Sequence, residues 1–456
     1  MLAHTLPFAH ASAAAAPASA AAIPADAANS AQAAPLASLP EAPAVFALGF
    51  GERREPYIAR TSNLRRRLKR MLAPEGALSR RLQLLPFVRE IAWSPYGSEF
   101  EASLLLYREI VDAFATKDSA TVRKRLRLRP PAYLRMALEN DFPRLFATNR
   151  YVRSAANRSF GPFPTRAAAE RACDAVLDLF QLRRCVEDLH PYPEHPACPY
   201  FEMKKCLAPC NQTCTPDRHR AEADAVFETL RTHGASLLSS LERERAAASE
   251  ALEFEAASAI HQRYEKAEAA LGELPESVRL LSELSAVIVQ PSAQPGEVSL
   301  FRLTRQGLAG PVPYATIGMR LHNEQSGSSS LYSHPMALVP VPLEPSPASG
   351  PGPDTLADTL VGTAADRLEA RLEKALSALD AISPSRLSTP QIEDHLALFT
   401  RWCFRPLAKR TGEAVFADAS GPKAGITVPH KPLIRAISRV ARGAAVVPVT
   451  PEQNEA

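Results

Sequence analysis

The sequence predicts an α+β multidomain chain, and three observations lead there. Short apolar runs at Ala44–Leu48 and Tyr57–Ala59 flank a charged turn and precede a helix-patterned stretch. A tract from 217 to 275 is rich in Ala, Glu and Leu and reads as paired helices. Strand-like alternation returns at Ala286–Val289 and Val298–Leu303, ahead of two more leucine-spaced helices. At 456 residues there is room for two or three domains with ample core. A net charge of +4 and a pI near 8.7 permit nucleic-acid binding without demanding it. No apolar run reaches the roughly 18–20 residues of a membrane helix, so no membrane partner is expected and the chain reads as cytoplasmic.

Residues 1–40 are dominated by Ala, Pro and Ser, with no Lys or Arg before Arg53, so they lack the positive start of a secretory signal. They are expected to form a disordered leader. In the module that follows, 41–115, the two apolar runs read as short strands. Thr61, Ser62 and Asn63 offer N-cap oxygens to a helix whose Leu64, Leu68 and Leu72 share one side. Arg65, Arg66, Arg67, Lys69 and Arg70 take the other side, a cationic face suited to phosphates while the leucines dock on a sheet. A merely solvated basic face is the plainer alternative.

A connector and cysteine-rich region spans 116–216. Leu134, Met136 and Leu138 alternate as in a strand, and Leu145–Thr148 reads as its hairpin partner. Thr165 caps a helix that turns Cys173 toward a core. Five of the seven cysteines, Cys185, Cys198, Cys206, Cys210 and Cys214, then follow the spacing C-x12-C-x7-C-x3-C-x3-C. Pro191, Pro193, Pro196, Pro199 and Pro209 force turns between them, which lets close-set thiols converge on one centre. In a reducing compartment that pattern points to a metal site rather than disulfides. Zinc and an iron–sulfur cluster both accept four thiolates, and spacing alone does not separate them.

The run RRCVEDLHPYPEHPACPYFEMKKCLAPC resembles the cysteine region of UvrC, the nuclease subunit of bacterial nucleotide excision repair. The family's four cysteines fall on Cys185, Cys198, Cys206 and Cys210, with Ala197 where the family has its first proline. The resemblance implies a [4Fe-4S] cluster, with zinc as runner-up, and leaves Cys214 as a spare thiol or an alternative ligand. YIARTSNLRRRL is similar to the Y-[VI]-G-K-[AS]-x-[ND]-L-x-x-R-[LV] segment of GIY-YIG nuclease domains, which open UvrC proteins. That likeness implies a GIY-YIG-like α/β sandwich over 41–115. It gives Tyr57 the place of the second-motif tyrosine and Arg67 that of the catalytic arginine. Arg60 takes the usual lysine position, and with Arg65, Arg66, Lys69 and Arg70 becomes a candidate for DNA contact. The first-motif tyrosine, however, is Phe46, and the motif glycine is Ala59. Glu101–Leu106 resembles the family's E-A-L-L-L-E helix, whose second glutamate holds a divalent metal; here that position is Leu106. An aliphatic side chain does not ligate Mg²⁺ or Mn²⁺, and phosphodiester cleavage without the ion loses its main charge stabilisation. The expectation is a nuclease fold with vestigial Tyr57 and Arg67 and no bound divalent ion. Asp141–Arg144 and Gly161–Pro164 resemble the family's connector, which extends the likeness over about 44–215.

In the tract 217–275 one break stands near His233-Gly234, a normal helix C-terminus. SEALEFEAASAIHQRYEKAEAAL resembles the UVR motif, implying a helical hairpin that docks on a matching hairpin of the UvrB helicase. Leu252, Phe254, Glu255, Ala257 and Ile260 match, Ser258 replaces the second alanine, and His261 and Gln262 replace an Arg-Asp pair. An intramolecular coiled coil is the alternative. A small β-rich region (276–343), a Pro/Gly/Ser linker (344–356), a helical basic domain of mixed α/β character (357–445) and a tail (446–456) complete the chain. The RNase H-like and helix-hairpin-helix parts of the family are not legible in this half. Three functions are open: a UvrC-like repair factor that binds DNA and UvrB without cutting, an active single-incision nuclease, and an Fe–S-dependent, redox-responsive DNA-binding protein.

Overall fold

The computed structural model describes residues 2–7, 36–51, 54–72, 84, 87–114, 119–139, 141–196, 198–316, 364–384, 387–417 and 428–445. Within them the chain is α+β, with three four-stranded antiparallel sheets and helices packed against them. The linker 344–356 and the tail 446–456 lie outside the described residues.

The first sheet contains β1 (His4–Pro7), β2 (Ala44–Gly49), β3 (Tyr57–Thr61) and β4 (Glu90–Pro95) in the order β1-β4-β2-β3. Phe46 stands opposite Ala59 on one side and Trp93 on the other. α1 (Leu64–Leu72) begins as its sequence requires: the Asn63 side chain accepts the Arg66 N–H at 2.8 Å, and Leu64, Leu68 and Leu72 are buried. They pack on Phe46, Leu48 and Ile91. The leader expectation needs correction at both ends. His4–Pro7 is a strand on the open edge of β4, with His4 stacked on Trp93 at 5.4 Å, and Leu36 and Leu39 are core residues. A strand edge gains from any segment that satisfies its main-chain groups, and four residues suffice without a marked composition. Residues 8–35 lie outside the described residues.

The second sheet, order β6-β5-β7-β8, comprises β5 (Ala132–Ala137), β6 (Arg144–Thr148), β7 (Ser159–Phe163) and β8 (Arg279–Leu280). α4 (Arg166–Leu177) lies on it, capped by Thr165, whose hydroxyl accepts the Ala168 N–H, and Cys173 is buried there as the periodicity predicts. The Ala/Glu/Leu tract forms three helices rather than a hairpin with one break: α5 (Pro216–Arg231), α6 (Ala235–Glu250) and α7 (Phe254–Gly272). Both breaks close in the same way. At the first, Gly234 N–H returns to Thr229 O and His233 takes φ +51°. At the second, Glu253 N–H returns to Ala248 O, Leu252 N–H to Ser249 O, and Leu252 takes φ +61°. These are Schellman closures in which the left-handed position, normally glycine, is His233 or Leu252. The second break therefore left no glycine to read. Gly234 itself takes φ +90°, a conformation that L side chains rarely adopt, and a Cβ there would also press on the Leu271 side chain.

The third sheet, order β11-β10-β9-β12, contains β9 (Ser285–Pro291), β10 (Glu297–Thr304), β11 (Gly307–Ala315) and β12 (Glu413–Phe416). Successive residues face opposite ways, so each face takes its own helices. Val287, Val289 and Leu300 meet Leu372 and Leu379 of α8 (Ala364–Ala381) and Leu433 and Ile437 of α10 (His430–Ala445). Ile288, Phe301 and Leu303 meet Ile392, Phe399 and Trp402 of α9 (Thr389–Cys403). The same core takes in Phe100, Leu104 and Tyr107 of α2 (Glu99–Ala113), so the N-terminal module and the C-terminal sheet share one apolar cluster. Polar ties secure the junction. Arg123, on α3 (Ser119–Leu126), pairs with Glu393 at 2.8 Å and with Asp394, to which Tyr107 also donates at 3.2 Å. No helix among the described residues is long and apolar enough to cross a membrane.

Candidate functional site

The cysteine region is held by its own backbone. Lys204, Ala208 and Gln212 all take left-handed φ, and the loop closes through Leu207 N–H to Gln181 O and Tyr192 N–H to Cys210 O. Cys198 begins a one-turn helix, Pro199–Glu202, and Cys210 sits in a 3-10 turn, Pro209–Asn211. Two donors aim at sulfur: Ala208 N–H at 3.3 Å from Cys206 Sγ, and the Arg183 guanidinium at 3.4 Å from Cys185 Sγ. Arg183 is itself buried and fixed to Phe142 O and Glu187 O. Burial pushes the Cys206 thiol up to about 11, and Cys185, Cys198 and Cys210 push it the same way. Cys210 is raised first by burial and then by Cys198 and Cys185. Cys185 and Cys198 thus stand close enough to Cys206 and Cys210 to oppose the ionisation of those two thiols. Cys214, raised by burial, feels only Cys210 among them. All seven cysteines are free. Among the described residues no group of three or more Cys, His, Asp or Glu stands at the spacing that holds a single metal ion. The donor set still suits a thiolate-bound group: clustered, turn-mounted sulfurs, each of two receiving an N–H, with a buried guanidinium to offset negative charge. Lys205 is committed to Asp178 at 2.7 Å, beside Arg184.

At the N-terminal module, Tyr57 is partly exposed on β3 with its ring 6.1 Å from that of Phe46. Arg60 is ion-paired to Glu99, and Arg67 is half-buried on α1. Leu106 is half-buried among apolar neighbours, Val45 and Ala102 included. Glu101 points back to the start of α2, where its carboxylate accepts the Gly97 N–H at 2.9 Å while Ser98 Oγ accepts the Glu101 N–H at 3.1 Å. This reciprocal cap explains a buried glutamate in the first turn. Burial pushes the Glu101 carboxyl up to about 7, against the pull of the Gly97 N–H. On the basic face, Arg65 is spent on the fold, bonded to Leu39 O at 2.6 Å and Glu41 at 2.7 Å. Arg66, Lys69 and Arg70 are exposed, without an ion pair among the described residues.

At the α6–α7 turn, Leu252 and Phe254 are 70% and 67% exposed. Glu255 and Ser258 are exposed beside them, while Ala257 is half-buried and Ile260 packs inward on the helical core. Two large apolar side chains on a hairpin tip are available to a partner. Arg183, the donor to Cys185, is a contributor that sequence reasoning did not single out. As one arginine among many, it is marked only by lying two residues before the first cysteine.

The middle of the chain, 132–229, matches the family model described as UvrC/Cho excinuclease, middle domain. UvrABC system protein C of Carboxydothermus hydrogenoformans is 26% identical over 309 residues, 67% of this chain and 49% of that protein. Its counterpart in Kocuria rhizophila is 28% identical over 224 residues, 48% of this chain and 32% of that protein. The one in Saccharopolyspora erythraea is 31% identical over 227 residues, 49% and 31% respectively. The chain spans about a third to a half of the length of these curated relatives. No solved structure matches it.

Proposed function

The chain is a UvrC-like family member, and on that premise we propose that it is a DNA-binding excision-repair factor whose N-terminal module does not cut. The observation that carries this reading is Leu106, an aliphatic side chain packed among apolar neighbours where the family resemblance expects the metal-holding glutamate. Of the three carboxylates near this position, Glu101 caps its own helix and Glu99 neutralises Arg60, and Glu109, three residues on along α2, is the one whose rescue of the metal this reading rejects. With no oxygen ligand at 106, no divalent ion stabilises the charge of a cleaved phosphodiester. Arg66, Lys69 and Arg70 then serve to hold a phosphate backbone.

In the same reading Cys185, Cys198, Cys206 and Cys210 hold a [4Fe-4S] cluster, which supplies a covalent staple across the cysteine loop. Arg183 and the Ala208 N–H offset thiolate charge beside it. Leu252 and Phe254 present the apolar contact for a UvrB-like helicase, with Glu255, Ala257, Ser258 and Ile260 behind them. The test is an anaerobic preparation divided between metal analysis and a plasmid-nicking assay in Mg²⁺ or Mn²⁺. Iron and sulfide without nicking is the expected result. Nicking that Tyr57→Phe abolishes would replace the reading with an active nuclease, and zinc in place of iron would replace the cluster.

A further inference from the structure

Between the connector and the C-terminal sheet lies a cleft that none of the sites above uses. One lobe encloses about 540 Å³ and the other about 270 Å³, and Ser282, Arg305 and Gln306 line both, which makes them neighbours along one trough. One wall is the 3-10 turn Arg153–Arg158 with the loop that follows β8, pinned by Leu281 N–H to Ser159 O and Ser282 N–H to Ala156 O. The opposite wall is the β10–β11 turn and the end of α8.

The lining is cationic and incompletely satisfied. Arg153 and Arg305 are exposed and carry no ion pair or hydrogen bond among the described residues. Arg302 reaches in from β10 and pairs with Asp380 at 3.2 Å, the one acidic side chain in the lining. Three guanidiniums against one carboxylate leave the trough positive. Ser285, 6% exposed, borders the larger lobe, and its hydroxyl, closed off from solvent, has no hydrogen-bond partner. Burial raises the Tyr151 phenol while Arg153 and Arg305 both pull it down, which brings both guanidiniums to the same point. Glu393 also faces that phenol and raises it, but its carboxylate is committed to Arg123.

We propose that this cleft is a binding site for a phosphate group, and that the phosphate belongs to the backbone of a nucleic-acid strand. Planar guanidiniums bind phosphate oxygens in bidentate pairs, which suits Arg153 and Arg305. A paired lobe open to solvent accommodates consecutive units of a strand, whereas a single free nucleotide would fill only one lobe. The choice of strand as the source rests on the DNA-binding reading above; the phosphate chemistry does not.

The experiment uses the full chain, the double variant Arg153→Ala/Arg305→Ala, and the single variant Ser285→Ala. A labelled single-stranded oligonucleotide is titrated by fluorescence anisotropy across salt, and inorganic phosphate and a nucleoside monophosphate are titrated calorimetrically. The double variant is expected to bind the oligonucleotide about tenfold more weakly near 0.1 M salt, with the log–log salt slope reduced by about 1.4, at about 0.7 per phosphate contact on a single strand. Ser285→Ala is expected to weaken binding less and leave the slope unchanged. An unaltered slope together with unaltered phosphate and nucleotide binding would overturn the proposal. Loss of nucleotide binding alone would keep the phosphate site and overturn the strand as its source. If the native chain binds no oligonucleotide at all, the repair reading fails, and the calorimetric arm still decides the cleft. An Arg66→Ala/Lys69→Ala/Arg70→Ala variant, outside the lining of the trough, reports the basic helix separately.

Discussion

Glu101 offers the sharpest test of how the N-terminal module is built. Its carboxyl is 5% exposed, receives the Gly97 N–H, and is pushed by burial from the ordinary 4.5 up to about 7. A folded-state value above the unfolded one means that the folded chain holds an extra proton between those limits. Stability from this residue is therefore complete below pH 4.5 and is lost as pH rises through about 7. At roughly 1.4 kcal/mol per unit, the loss is about 3 kcal/mol by pH 8. Glu101→Gln keeps an oxygen for the Gly97 N–H and removes the ionisation. Thermal or urea unfolding of both proteins from pH 4.5 to 8.5 is expected to show near-equal stability at the acid end, an advantage for the variant that grows from about pH 5, and a plateau above about pH 7. His395 and His233, pushed down by burial to about 3 and about 4, lose stability as pH falls, but both proteins share them and the difference cancels. A flat difference, or a variant less stable at pH 8, would refute the argument, because it would mean a charged and partnered carboxylate. Stabilisation of the native chain alone by millimolar Mg²⁺ would do the same, exposing Glu101 as a metal ligand rather than a cap.

Cys206→Ser removes one of the four gathered thiols, and iron and sulfide in anaerobic preparations are expected to fall well below the roughly four of each that a cubane cluster contains. Phe254→Ala, on a side chain that is 67% exposed, is expected to change unfolding stability by no more than about 0.5 kcal/mol. The same variant is expected to weaken capture of a UvrB-like helicase by about tenfold or more, measured by surface plasmon resonance. Asp394→Ala leaves Arg123 with Glu393 as its remaining acidic partner and strips the acceptor from Tyr107. A loss of about 2–3 kcal/mol in urea unfolding is expected.

What the sequence revealed was governed by short-range rules. The leucines of α1, the alternation of β5 and β6, and the Thr165 cap each depend on residues within one or two turns, and each appears where the pattern put it. What escaped was decided at a distance. Nothing in His4–Pro7 announces that the edge of β4, about 85 residues on, needs a strand. The second break in the helical tract was hidden because Leu252 occupies a conformation that composition assigns to glycine. Arg65 looked like any other member of the cationic face until Leu39 and Glu41 packed against it. The trough of Arg153, Arg302 and Arg305 joins residues some 150 positions apart, and isolated arginines in a basic chain carry no pattern.

The placement of α2 explains what an aliphatic residue at position 106 does for the architecture. This helix lies between the first sheet, through Ala102 and Leu106 against Val45, and the third, through Phe100, Leu104 and Tyr107 against Phe301 and Leu303. Such a helix is held on two sides by apolar contact, and a carboxylate on its inner surface is stabilised only while a cation offsets it. Glu101 illustrates the cost, because burial drives it toward the neutral form even with a backbone N–H in place. Leucine at 106 carries no such cost and adds apolar contact to the two clusters it touches. An aliphatic residue at this position therefore serves the junction between the N-terminal module and the C-terminal sheet. In this fold Leu106 adds apolar contact on both sides of α2, between the N-terminal module and the C-terminal sheet.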